Sequence, residues 1–180
     1  MKKTVLTFGL IAGLIVTAMM VYSTYRISVT KDMNDSMVMG YATMIVAFSF
    51  IFVGIRNYRN KYLGGYISFG KAFKIGALIT LVAGTLYVGV WLIEYYFFFP
   101  NFMELYSECV IKNAQSEGAT AAVLNEKKLE LATMTEWYKN PLFVILMTYL
   151  EIVPVGLIIA LISALILKKK KKIGETAFVN

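Results

Sequence analysis

Two side chains that dominate enzyme and metal chemistry are almost missing from this sequence. It contains no histidine and a single cysteine, Cys109. Histidine is the commonest metal ligand and the commonest general base near neutral pH, and one cysteine cannot form an intrachain disulfide. The other residues show no nucleophile–base pair, no set of metal ligands and no phosphate-binding loop pattern. We therefore expect a protein that is not an enzyme and that binds no metal or other cofactor.

Charge is nearly missing from four long apolar stretches. The 180-residue chain is 58% hydrophobic with a mean hydropathy of +0.65, which is more apolar surface than a soluble domain of this size can bury. Each stretch is long enough to cross the roughly 30 Å core of a bilayer as a helix. The ten-residue alternating segments of a membrane barrel are lacking. The stretches are Thr4–Tyr25, Met37–Ile55, Ile75–Phe99 and Leu142–Leu167.

These stretches predict an all-α fold: an integral membrane bundle of four transmembrane helices, forming a single domain over residues 1–180. The first stretch could instead belong to a signal peptide. It is longer than a typical apolar signal region and no clear cleavage site follows it, which favours a retained span.

The basic residues are distributed unevenly along the chain. Twelve of the eighteen Lys and Arg residues lie before the first stretch, between the second and third, or after the fourth. The positive-inside rule then places both termini and the middle loop in the cytoplasm of a multi-pass inner-membrane protein. The net charge of +7 is therefore a signal of topology, and we expect no nucleic-acid partner.

The connections between the stretches carry turn and cap signals. In the middle loop, Gly64 and Gly65 favour a tight turn over a phosphate-binding loop, and Ser68 is placed to cap the next helix. The outer segment, residues 101–140, shows helical spacing broken near Gly118, which predicts two short helices that lie on the membrane surface or pack on each other. Pro141 suits the first turn of the fourth span. Four aromatic residues are predicted at the outer headgroup level: Tyr95, Tyr96, Trp137 and Tyr138.

Several segments resemble one bacterial membrane-protein family. They are FVGIRNYR (52–59), LGGYISFGKAFKIGALITLVAG (63–84), the Asn-Pro pair before the last span, and PVGLIIALISALILKKK (154–170). The family is domain-of-unknown-function family 4199. The resemblance covers nearly the whole chain and implies a small four-span inner-membrane protein with no assigned activity or catalytic residues. In the family pattern an acidic residue directly follows the third-span Trp, whereas here Leu92 follows Trp91 and the acid is Glu94.

Small residues recur every four positions on the third and fourth spans and predict that these two helices pack closely in their cytoplasmic halves. The third span carries Ala72, Gly76, Thr80 and Gly84, and the fourth carries Gly156, Ala160 and Ala164. Gly9 and Gly13 form a further GxxxG pattern in the first span. Such patterns serve packing within one chain or assembly of a homo-oligomer.

One carboxyl group, Glu151, interrupts the fourth span three residues before Pro154. A charge at this depth costs roughly 2.5–3.5 kcal/mol on insertion scales, so we expect a neutral carboxyl that faces the bundle. Pro154 has no N–H, which deprives the Leu150 carbonyl of its helical donor and predicts a kink. Glu94 is expected about 5 Å further out, where its charge can reach water. The residues expected at the depth of Glu151 are Thr17, Thr43 and the segment from Tyr87 to Trp91.

Two interpretations of Glu151 remain open from sequence. In one, its carboxyl hydrogen-bonds a nearby carbonyl or another span and holds the kinked helix in place. In the other, it is a titratable site for a proton, cation or polar ligand in a water-filled pocket. The chain shows no second carboxylate at that depth and none of the internal repeats found in many transporters.

The same choice applies to the whole molecule. Its outer helices suit a structural or interaction protein of the bacterial envelope, and Glu151 suits a small proton- or solute-linked carrier or channel. The basic tail, residues 168–180, either anchors the last span or binds anionic lipid headgroups. The lysines concerned are Lys168, Lys169, Lys170, Lys171 and Lys172.

Overall fold

The protein is described here by a computed structural model that covers residues 1–30 and 34–170. Within these residues the chain is helical and forms no β-strand. This confirms the predicted all-α bundle with four long apolar helices and two shorter helices between the third and the fourth. The helices are α1 (Lys2–Thr30), α2 (Asn34–Tyr62), α3 (Phe69–Ile93), a π-helix (Glu94–Phe98), α4 (Phe102–Ser116), α5 (Ala121–Tyr138) and α6 (Pro141–Leu167).

The four long helices have the length and composition of membrane spans. They form a ring in which α3 packs on α1 and α6, and α2 closes the ring by packing on α1 and α6. α2 continues past the predicted end at Ile55 as far as Tyr62, because its polar residues keep helical geometry beyond the apolar stretch. Helices suit this setting because they satisfy their backbone hydrogen bonds internally.

The two ends of the bundle differ. The end that holds the start of α1, the α2–α3 loop and the end of α6 carries most of the basic residues, and we call it the basic end. At the other end, α4 and α5 with residues 117–120 between them form a helical hairpin, which we call the cap. The half of the bundle next to the basic end is the tight half, and the half next to the cap is the hollow half.

Close helix packing fills the tight half. A Cβ atom added to Gly76 would lie 2.7 Å from Ala160 Cβ, and one added to Gly156 would lie 2.7 Å from Thr80 Oγ1. Two predicted pairs of small residues therefore contact each other across α3 and α6, Gly76 with Ala160 and Thr80 with Gly156, whereas Gly84 faces Ile152 and Tyr149. Large side chains that are fully buried fill the space around them: Phe48, Ile51, Ile55, Ile75 and Ile79.

The GxxxG pattern of α1 also faces the interior of the chain. A Cβ atom on Gly9 would lie 2.7 Å from Val82 Cβ, and one on Gly13 would lie 3.1 Å from Ala83 Cα. Both glycines thus permit close approach of α1 to α3. The surface of both glycines is therefore covered by α3 of the same chain.

A set of backbone contacts closes the basic end. Gly64 and Gly65 have φ angles of 59° and 89°, the left-handed region that a tight turn uses and glycine favours. Ile67 and Lys169 exchange backbone hydrogen bonds of 3.1 and 2.9 Å, and Arg59 donates to the Leu167 carbonyl at 3.2 Å. These contacts satisfy carbonyl groups at the end of α6 and tie it to the middle loop.

Ser68 departs from its predicted role. It occupies the residue before α3, but its side chain makes no capping hydrogen bond. The Ser68 carbonyl instead accepts the first helical bond from Ala72, so α3 starts without a side-chain cap. Lys169 lies with its Nζ atom 5.5 Å from the Tyr66 ring centroid, while Lys171 and Lys172 fall outside the described residues.

The cap has the two predicted helices. α4 ends at Ser116 and Gly118 has a φ of 81°, so the chain turns where the sequence pattern breaks. Thr120 then caps α5 by accepting from the Val123 amide. Asn140 accepts from the Leu142 amide at 3.0 Å and Pro141 takes the first turn of α6. The cap is thereby joined to α6 by a short connection.

Candidate solute-binding cavity

A cavity of about 400 Å³ occupies the hollow half. Its walls come from α1, α2, α3 and α6, and the cap covers it at the end away from the basic end. The volume lies within the usual range of small-molecule sites. The lining residues are Val16, Met19, Met20, Ser23, Thr24 and Ile27 from α1; Gly40, Tyr41, Thr43 and Met44 from α2; Tyr87 and Trp91 from α3; Phe102, Met103, Tyr106, Met134 and Tyr138 from the cap; and Met147, Thr148 and Glu151 from α6.

The lining explains why this half of the bundle is open. Gly76 and Gly156 bring α3 and α6 together in the tight half. In the hollow half, the same two helices carry Tyr87, Trp91 and Met147, which line the cavity. Large aromatic and thioether side chains hold helices further apart than glycine and alanine do. Methionine is also flexible and adapts to ligands of different shape. The cavity is therefore a consequence of larger side chains on the same helices.

Glu151 borders the cavity from α6 and keeps an accessible surface there. Within the part of the chain that the structure describes, its carboxyl group makes no hydrogen bond or ion pair. Pro154 does not interrupt α6, which remains helical from Pro141 to Leu167. The geometry thus leaves the carboxyl group available to a molecule in the cavity.

The structure brings together most of the residues expected at the depth of Glu151. Thr43, Tyr87 and Trp91 line the cavity together with it. Thr17 does not: it is buried outside the lining and its hydroxyl has no hydrogen-bond partner among the described residues. Pro154 is likewise outside the lining, with its ring on the exposed side of α6.

The expectation that the charge of Glu94 reaches water was wrong. The residue is 6% exposed, and Thr24 Oγ1 donates toward its carboxyl oxygens at 3.1 and 3.3 Å. The reason is the helix face: Glu94 follows Tyr87 by two helical turns, so its side chain lies on the same buried face and packs toward α1 instead of the membrane surface. π-helical turns often mark functional positions; here the turn carries a buried contact beside the cavity wall.

Aromatic side chains fasten the cap over the cavity. The Trp91 and Phe102 rings meet edge to face with centroids 4.9 Å apart, and Tyr95 lies 6.0 Å from the ring of Tyr138. Tyr95 also donates to the Tyr138 carbonyl at 3.4 Å. Of the predicted headgroup aromatics, Tyr95 and Tyr138 therefore form cap contacts, while Tyr96 and Trp137 remain exposed. Burial, and next the nearby Glu151, raises the pKa of Tyr138.

Sequence reasoning missed the α1 wall and the cap. Met20, Ser23, Thr24 and Ile27 follow one helical face at spacings of three and four residues, which was the available signal. The methionines carried no signal by themselves because methionine is an ordinary core residue. The position of α4 and α5 over the cavity is set by tertiary packing, and no local sequence pattern predicts it.

The family described as Protein of unknown function (DUF4199) matches residues 7–169, which is nearly the whole chain. No curated protein and no solved structure matches.

Proposed function

This chain belongs to the DUF4199 family, and we propose that it binds small solutes inside the membrane, in the cavity of its hollow half. One observation carries the proposal: Glu151 borders a cavity of about 400 Å³ and has no hydrogen-bond partner among the described residues. Polar groups placed in the membrane interior without partners are costly. A ligand that contacts the carboxyl group offsets that cost.

The alternative structural role of Glu151 receives less support. A carboxyl group that holds a kinked helix needs a partner on that helix or a neighbour, as Glu94 has in Thr24. Glu151 has neither within residues 1–30 and 34–170. The solute-linked carrier or channel favoured by Glu151 in the sequence is thus better supported than a purely packing role. The protein acts in this proposal by binding, without catalysis.

The proposed location is the inner membrane of a bacterium, with both termini in the cytoplasm. Support comes from the concentration of Lys and Arg at the basic end. The cap then lies on the outer side. Reporter domains fused after Asn180 and within residues 117–120 test this: fluorescence that requires cytoplasmic folding is expected only from the C-terminal fusion.

Trp91 supplies an intrinsic readout of solute binding, because it lines the cavity and the chain has one other tryptophan, Trp137. In a Trp137→Phe background, all tryptophan fluorescence comes from Trp91. We expect saturable change in this fluorescence when neutral triphenylphosphine oxide is added to the protein in lipid nanodiscs.

A cavity-filling variant separates binding from dissolution of the probe in lipid. Gly40 lines the cavity, and a Cβ atom there would meet no atom within 4 Å. Gly40→Leu should remove the saturable signal without unfolding the protein. Gly89→Leu is the matched control, since a Cβ at Gly89 also meets nothing and Gly89 does not line the cavity. A saturable signal that survives Gly40→Leu would contradict the proposal.

An interaction role in the envelope is a second candidate. It is favoured by apolar side chains that the cap exposes, since Leu129 is 72% and Trp137 56% exposed. A photoreactive residue placed at position 129 tests it in cells. A protein adduct of one reproducible mass supports this role, whereas adducts to lipid alone would mean that the cap rests on the membrane.

A further inference from the structure

The charge of the cavity lining restricts its ligand. Among the described residues, Glu151 carries the one carboxyl group in the lining, and no Lys or Arg lines the cavity. An anionic ligand would meet a carboxyl group with no compensating cation. No group of three or more acidic, Cys or His residues that could hold a metal ion occurs in the described ranges either. The lining therefore disfavours anions and divalent metal ions.

The aromatic residues of the lining add a second restriction. Six aromatic rings surround the cavity, contributed by α2, α3 and the cap: Tyr41, Tyr87, Trp91, Phe102, Tyr106 and Tyr138. The face of an aromatic ring attracts a cation, and this attraction grows when water is excluded. Aromatic rings combined with a carboxylate and without basic residues are the chemistry that recognises quaternary ammonium and similar organic cations.

We propose that the ligand is a lipophilic organic cation, with Glu151 as its counterion and the rings of Tyr87 and Trp91 as part of its aromatic walls. This inference rests on the proposed solute-binding function and names its ligand class. Apolar substituents would contact the methionine side chains, whose flexibility accommodates different shapes. A compact inorganic cation would lack a cage of oxygen ligands, because Glu151 supplies the only carboxylate in the described lining.

The test compares two ions of nearly the same shape and opposite charge. Tetraphenylphosphonium and tetraphenylborate are titrated into the Trp137→Phe protein in nanodiscs of zwitterionic lipid, with Trp91 fluorescence as the readout. The Gly40→Leu variant gives the signal from ions dissolved in the lipid, which is subtracted. We expect saturable binding of the phosphonium ion and an affinity for the borate weaker by about tenfold or more. Equal affinities for the two ions would overturn the inference.

Replacing the counterion gives the second arm. Glu151→Gln should weaken phosphonium binding by about tenfold or more, and should weaken binding of neutral triphenylphosphine oxide much less, because that probe carries no charge for a counterion to balance. Phosphonium binding that is unaffected by Glu151→Gln would also overturn the inference. The comparison of the two ions needs no substitution at Glu151, so it stands even if that variant does not fold. Failure of every probe, including the neutral one, would instead remove the proposed solute-binding function itself.

Discussion

The tight half and the hollow half are built from the same four helices, yet one is filled and the other encloses a cavity. In the tight half Gly76 lies against Ala160, and Gly156 against Thr80, and the isoleucines around them are fully buried. In the hollow half aromatic, methionine and polar side chains surround about 400 Å³ of space. The size of the side chains at a few positions thus decides whether the helices of a membrane bundle pack closely or leave a cavity for a ligand.

The two intramembrane carboxyl groups repeat this contrast. Glu94 is buried and contacts Thr24, so its carboxyl group has a hydrogen-bond partner within the protein. Glu151 faces the cavity without a partner among the described residues. The difference teaches that an acidic residue in a span must be judged by its partner as well as by its depth.

The largest expected effect is truncation in the tight half. Ile51→Ala should lower the free energy of unfolding by about 2–5 kcal/mol, because the cavity it leaves is surrounded by fully buried neighbours. Met147→Ala is the matched change in the hollow half and should cost less than half as much, since its side chain already borders open space. Equilibrium unfolding in mixed micelles measures both, and equal losses would remove the distinction between the halves.

A methyl group at the closest helix contact should have the next largest effect. Gly156→Ala is expected to cost about 1–3 kcal/mol, because the new Cβ would collide with the Thr80 side chain. Thr80→Ala in the same chain should restore part of the loss by removing the colliding atoms. Gly89→Ala serves as the control and should be neutral or slightly stabilising. A Gly156→Ala protein as stable as wild type would mean that α3 and α6 are not in contact here.

Removal of the buried carboxyl group should have a smaller cost. Glu94→Ala is expected to lower stability by about 0.5–1.5 kcal/mol, the usual net value of one hydrogen bond. Thr24 keeps the Met20 carbonyl as an acceptor at 3.0 Å, so no orphaned hydroxyl adds to the loss. A double-mutant cycle with Thr24→Val isolates the contact, and a coupling energy of zero would show that the pair does not interact.

The smallest effect on stability is expected at Glu151. Glu151→Gln should change the free energy of unfolding by no more than about 0.5 kcal/mol, because no described residue depends on its carboxyl group. The same unfolding assay applies. A loss comparable to that of Glu94→Ala would restore the structural interpretation of Glu151.

The sequence predicted the architecture well because membrane helices obey strong constraints. Apolar length, the turn at Gly64 and Gly65, and the break at Gly118 are local signals that a single chain carries. Counting residues along straight helices also placed Thr43 and Tyr87 with Glu151. Depth alone gave the wrong surroundings for Glu94, because whether its carboxyl group reaches water depends on the helix face it occupies and on Thr24 of α1 packing there. The cavity itself depends on where large and small residues meet across helices, which one sequence does not reveal.

The most direct test of the account compares the reactivity of its two intramembrane carboxyl groups in one molecule. An apolar carbodiimide modifies a carboxyl group that it can reach in an apolar environment, and mass spectrometry of the peptides locates the adduct. Glu151 is expected to be modified several-fold faster than Glu94, and Gly40→Leu is expected to slow the modification of Glu151. Modification of Glu94 as fast as Glu151, or a rate at Glu151 that is indifferent to Gly40→Leu, would contradict the claim that Glu151 opens onto a solute-binding cavity.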